Sequence, residues 1–110
     1  MLFRSEDTRR AFNLTGMTMD DLRAYIDNGV PVLVWTSMYM MEPSFTGAVV
    51  TYHGQKYEWY RSEHCVVLCG YDDEKKTFLL SDPLVGYVER DQSAFTRIYE
   101  LTGSCAVAIY

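Results

Sequence analysis

The sequence predicts an α+β domain, a mainly antiparallel sheet carrying two short helices. Short apolar runs recur along the chain, each bounded by glycine, proline or charged residues, as strands are. Two stretches place a capping residue ahead of helically spaced apolar positions. Turn signals at His53-Gly54 and around Asp73 join consecutive runs into hairpins.

Residues 1–13 show neither helical nor strand periodicity and read as a ragged or disordered start; residues 14–110 read as one compact domain with no linker, repeat or low-complexity tract. The first helix is expected over 20–28. Thr18 is its N-cap, Asp21 three residues on completes a capping box, and Leu22, Tyr25 and Ile26 supply the apolar face. Gly29 ends it and Pro31 forbids its return. Val32-Leu33-Val34-Trp35 is a continuously apolar strand of the kind buried on both faces. Residues 38–43 form an apolar loop whose methionines can line a groove.

Strands over 49–52 and 55–60 follow, joined at His53-Gly54, which makes His53 an exposed turn residue. The run from Glu63 to Asp72 then pairs with a strand over 78–81, and Tyr87-Val88-Glu89 adds another after Gly86. Asp91 caps a second helix over 92–101, with Phe95, Ile98 and Tyr99 on one face and Gly103 as the stop. An apolar strand over 105–110 closes the chain.

Composition excludes several function classes. With 48% hydrophobic and 15% aromatic residues, a chain of 110 can bury a core. A formal charge of -5 and the lack of a basic stripe argue against nucleic acid as a partner. The longest apolar runs fall far short of the ~20 residues of a membrane span. Three cysteines is an odd number, and Cys65 and Cys69 sit on one strand face in poor geometry for a disulfide, so free thiols are expected. No cysteine or histidine pair has metal-site spacing, and no metal or cofactor is expected.

His64 and Asp82 are the candidate catalytic pair, the alternative being an ordinary strand-edge histidine and an ordinary turn-forming aspartate before proline. Side chains alternate along a strand, so a hairpin turning around Asp73, with Gly70 and Tyr71 facing Lys75 and Lys76, places His64 opposite or one diagonal step from Asp82 on a shared face. Val66 and Leu68 continue that face, while Cys65, Val67 and Cys69 take the other. An aspartate so placed fixes the imidazole tautomer and stabilises its protonated form, the third role in a nucleophile-histidine-acid triad. Elsewhere, Trp35, Met38, Trp59 and Tyr60 are candidates for a substrate groove, although rings of this kind more often build cores.

The residues Gly29-Val30-Pro31-Val32-Leu33-Val34-Trp35, Glu63-His64-Cys65-Val66-Val67-Leu68, Gly70-Tyr71-Asp72, Ser81-Asp82-Pro83-Leu84, Gly86 and Gly103-Ser104 together resemble the bacterial branch of papain-like cysteine peptidases related to the bacteriocin-processing, double-glycine-leader peptidases, number thirty-nine among cysteine peptidase families. The resemblance runs from about residue 14 to residue 110. It implies a papain-like fold and a cysteine thiolate attacking a peptide or related amide carbonyl. His64 would be the base and Asp82 its orienter. Papain-like sites also serve amidases and acyl transferases.

In such enzymes the nucleophile heads a long helix near the start of the domain, with an oxyanion-hole glutamine just upstream. No cysteine or glutamine stands before Leu14. Cys65 and Cys69 are expected on the wrong face, and Cys105 opens a terminal strand beside no evident cation. The expectation is therefore the C-terminal half of the domain, with no nucleophile of its own and no activity by itself. A peptide or protein is the expected substrate. The sheet face that would receive the cysteine helix is expected to be bare and prone to self-association. The alternative is a non-catalytic peptide-binding module, a degenerate relative on the same fold. The resemblance implies a bacterial protein, often exported or fused to a membrane segment; the sequence fixes neither compartment nor oligomeric state.

Overall fold

In the computed structural model, residues 11–109 are described. The elements run β1 (Ala11–Asn13), α1 (Met19–Asp27), β2 (Val32–Ser37), a 3₁₀ turn (Met38–Met40), β3 (Phe45–Tyr52), β4 (Gln55–Tyr60), β5 (Glu63–Asp72), β6 (Thr77–Asp82), β7 (Gly86–Asp91), α2 (Gln92–Leu101) and β8 (Ala106–Ile109). Six strands form one sheet in the order β1-β8-β2-β5-β6-β7, every pair antiparallel, and β3 and β4 form a separate two-stranded ribbon.

The helices start where their caps dictate. Thr18 Oγ1 accepts from the Asp21 N–H at 3.2 Å, and an Asp91 carboxylate oxygen accepts from the Ala94 N–H at 2.9 Å. Both helices lie on one face of the large sheet. Leu22 from α1 and Phe95 and Tyr99 from α2 are buried with Val32, Val34, Val66, Leu68, Phe78, Leu80, Ala106 and Ala108. Phe78 and Phe95 meet edge to face at 5.6 Å between ring centres. The Tyr99 hydroxyl donates to the carbonyls of Met17 and Ser104, and burial pushes its pKa up to about 12.

Three local expectations change. Ala11–Asn13, read as part of an irregular start, is a short edge strand paired with β8; residues 1–10 lie outside the described residues. The loop over 38–43 contains a 3₁₀ turn in which Tyr39 and Met40 both take positive φ, 53° and 57°. The third change is the register of the β5–β6 hairpin. Asp72 pairs with Thr77, Tyr71 with Phe78 and Gly70 with Leu79, so the turn is longer than expected. The cause is Asp72, whose Oδ1 accepts from the N–H groups of Glu74 and Lys75 and builds a side-chain-capped turn.

Past Gly70 the register shifts, and Leu68 faces Leu80 with Cys69 left as the extra residue of a β-bulge. That shift decides the site. Had the Tyr71–Phe78 register continued unbroken, Val66 and Leu68 would turn away from the helices and His64 would leave the face of Asp82. The bulge returns the even-numbered residues of β5 to the helix side.

Candidate active site

The bulge and the end of β6 bring the two predicted residues together. His64 Nε2 lies 2.8 Å from Asp82 Oδ1, with side-chain exposures of 11% and 6%. Continuing the register, Val66 stands opposite Asp82, so His64 reaches the carboxylate diagonally. The Asp82 Oδ1 also accepts from the Leu84 N–H at 2.8 Å across Pro83. Sequence reasoning missed this second donor, although an aspartate followed by proline is a recognisable side-chain turn signal.

Burial by itself raises the Asp82 carboxyl, since it penalises the charged form. The His64 hydrogen bond, the Leu84 N–H and the His64 and Arg90 charges together outweigh it and hold the carboxyl below its ordinary value. Asp82 is thus an ionised acceptor on Nε2, and Nε2 carries the proton. The other ring nitrogen, Nδ1, has no hydrogen-bond partner among the described residues. In the serine-protease triad the acid holds Nδ1; here the carboxylate meets Nε2 instead.

None of the chain's three cysteines reaches His64. Trp35 pairs with Cys65 while Thr36 pairs with His64, so Cys65 leaves the opposite face of the sheet. Cys105 joins the Trp35 row on that same far face, where its carbonyl accepts from the Trp35 N–H at 3.1 Å. Cys69 is exposed in the bulge, its thiol against the Val67 carbonyl. Burial raises the Cys65 thiol; burial and then the Glu63 charge raise Cys105. Both are thereby turned away from thiolate chemistry.

Three of the four proposed groove residues do line one cavity. Trp35, Trp59 and Tyr60, joined by Tyr52, Tyr57 and Cys105, surround a groove of about 590 Å³ between the large sheet and the β3–β4 ribbon. Met38 is not among its lining residues. Nor are these rings core: Trp59 is 55% exposed and Tyr52 63%. The groove takes Trp35, Glu63 and Cys105 from the face opposite His64, so it is not the space in front of the imidazole. His53 sits at the tip of the ribbon with φ 50°, edge-on to Tyr52 at 4.0 Å between ring centres.

Among the described residues there is no cluster of histidine, cysteine, aspartate and glutamate that could hold a metal ion, and no helix is long and apolar enough to cross a membrane.

Comparison with known proteins agrees with this architecture. The family-wide profile of the Peptidase_C39 like family matches residues 4–107. A solved structure from Bacillus anthracis, assigned as a C39-like peptidase, superposes with a TM-score of 0.75 at 26% sequence identity. The match covers 91% of this chain and 50% of that one, so the chain spans about half the length of the solved relative. No curated protein sequence matches the chain. Both helices and the strands that bring His64 to Asp82 fall inside the matched region, and the chain belongs to the Peptidase_C39 like family.

Proposed function

We propose that this chain is the base-bearing part of a papain-like cysteine peptidase domain, corresponding to the domain's C-terminal half. His64 is the general base, Asp82 its orienter, and the nucleophilic cysteine comes from a segment outside this sequence. The observation that carries the reading is the buried Nε2-to-carboxylate bond of 2.8 Å with Nδ1 left free on the same ring.

Proton bookkeeping follows from that arrangement. Asp82 keeps the neutral imidazole protonated on Nε2, so the Nδ1 lone pair takes the thiol proton and leaves a thiolate to attack a peptide carbonyl. The imidazolium then returns a proton from Nδ1 to the leaving amine. Asp82 stays ionised throughout and stabilises the positive ring. The substrate class is a peptide or related amide. By itself the chain has no thiol placed for this chemistry and is proposed to be inactive.

The test is to read the coding sequence upstream of Met1, join the segment it encodes, and measure peptide hydrolysis in the completed protein. His64→Ala should abolish turnover and Asp82→Asn should lower it by something on the order of 10⁴, the loss seen when a serine-protease triad loses its acid. Unchanged activity in either variant would sink the assignment.

A second reading has its own support. The aromatic groove on the other face offers exposed rings, and Cys105, which lines it, stands on the face opposite His64. A non-catalytic peptide-binding module would use Trp35, Trp59 and Tyr60 and remain indifferent to His64→Ala. Peptide binding lost in Trp59→Ala but kept in His64→Ala would favour it.

A further inference from the structure

The β3–β4 ribbon has an open edge on each side, since neither strand pairs with any other described strand. Two strands by themselves make a marginal sheet in water, and the rings Tyr57 and Trp59 on this one are about half exposed. A strand edge is a template for another strand unless it is short, charged throughout or covered. The outer edge of β4 is six residues long, Gln55-Lys56-Tyr57-Glu58-Trp59-Tyr60, and alternates charged with aromatic side chains in its middle.

The hairpin fixes which way the main-chain groups of β4 point. His53 and Gly54 both take positive φ, 50° and 77°, as in the two-residue turn that makes Tyr52 and Gln55 a hydrogen-bonded pair. The N–H and C=O of one strand residue point to the same side, and the side alternates along the chain. Those of Gln55, Tyr57 and Trp59 therefore face β3, as the Trp59 carbonyl does where it accepts from Thr46 Oγ1 at 2.8 Å. Those of Lys56 and Glu58 point out to the open edge, and both residues are exposed. The Glu58 carboxylate accepts from the Tyr60 hydroxyl at 2.9 Å and keeps lone pairs for a second donor.

We propose that the partner of this edge is a second copy of the chain, joined to it as an antiparallel β4–β4 pair centred on Tyr57. A two-fold axis normal to a sheet pairs an edge strand with itself antiparallel and keeps its faces, so opposed residues differ in number by an even amount. Centred on Tyr57, Lys56 stands opposite Glu58 of the second copy and Glu58 opposite its Lys56. These are the residues whose main-chain groups point outward, so each of the two pairs exchanges both of its N–H···O=C bonds. Centring the pair on position 56 or 58 sets Lys56 or Glu58 against itself, which like charge disfavours. No other described open edge offers opposite charges in this way. β1 and β3 carry no charged residue, and in β7 Arg90 is one position from both Glu89 and Asp91, so it never comes opposite either. The paired ribbons form one sheet with Tyr57 and Trp59 of both copies on the groove face, and they use no residue of the His64–Asp82 pair.

The experiment is sedimentation equilibrium of the full chain at neutral pH and low salt, where exposed charges are least screened. Lys56→Glu and Glu58→Lys each set like charges opposite one another twice per dimer and should raise the dissociation constant at least about tenfold. The double variant carrying both changes restores opposite charge in the same register and should return to within about threefold of wild type. Both positions are exposed, so circular dichroism melts should match wild type. A second variant reads the register directly. Tyr57→Cys, made in a Cys69→Ser background, puts a thiol opposite its own copy at the ~4.5 Å Cα separation of a non-hydrogen-bonded pair, within disulfide reach, so mild oxidation should link the two chains. A wild-type chain that stays monomeric at about 100 μM overturns the proposal. So does a dimer indifferent to both single changes, a double variant no tighter than the singles, or a Tyr57→Cys chain that does not cross-link.

Discussion

Removing the Asp82 carboxylate measures how firmly the pair is built. In Asp82→Ala the His64 Nε2–H and the Leu84 N–H both lose their acceptor, and both lie in a region where His64 is 11% exposed and position 82 only 6%. An orphaned buried donor costs about 1–3 kcal/mol, so the two together should cost roughly 3 kcal/mol, partly offset because no carboxylate is then desolvated. In a domain of this size that is a fall in Tm of roughly 10 °C. Asp82→Asn keeps an acceptor oxygen and loses only the charge assistance, a cost of about 1 kcal/mol.

The same residue sets a pH dependence. The Asp82 carboxyl is held below its ordinary value in the folded chain, so its stabilisation is complete above the unfolded value of about 3.9 and is lost as pH falls through the lower folded value. The gap between wild type and Asp82→Ala should therefore narrow as pH falls below about 4. Urea unfolding across that range, with calorimetry near neutrality, reads all three chains. If Asp82→Ala costs less than about 0.5 kcal/mol at neutral pH, or if its gap does not narrow below about pH 4, the buried ionised pair does not form and the argument for His64 as an oriented base fails.

Two further predictions come from the same geometry. Thiol alkylation should modify Cys69 first and Cys65 and Cys105 slowly, with no rate altered in His64→Ala; a His64-dependent rate at any of the three would place a nucleophile within this chain. Deleting Cys69, the residue of β5 with no partner in β6, should leave both flanking registers intact, keep the His64–Asp82 contact by NMR, and cost no more than about 2 kcal/mol. Loss of that contact would show that the bulge places His64 through sheet twist as well as through residue count.

The sequence alone determined both helices and the strands from β2 onward, though not β1 or the 3₁₀ turn. Thr18 and Asp91 set the helix starts, the apolar periodicity of Leu22, Phe95, Ile98 and Tyr99 set the buried faces, and the aspartate before Pro83 ended β6, because caps, periods and turn residues act over a few neighbouring positions. It also identified His64 and Asp82 as a pair, on the assumption of one uniform register. The true path differs: Asp72 lengthens the turn and the bulge at Cys69 corrects the resulting mismatch, two deviations that together leave both side chains on one face. Residue spacing could not report either deviation: the longer turn is set by the Asp72 side chain capping Glu74 and Lys75, and the bulge by the need to bury Leu68 and Leu80 on the helix side. The buried hydroxyl of Thr36, unpaired among the described residues, the meeting of Asp82 with Nε2 of His64 and the placing of Trp35 and Trp59 behind the sheet were decided by tertiary structure alone. Each depends on which strand lies beside which, and strand order is fixed only when residues far apart in the chain bury a common face.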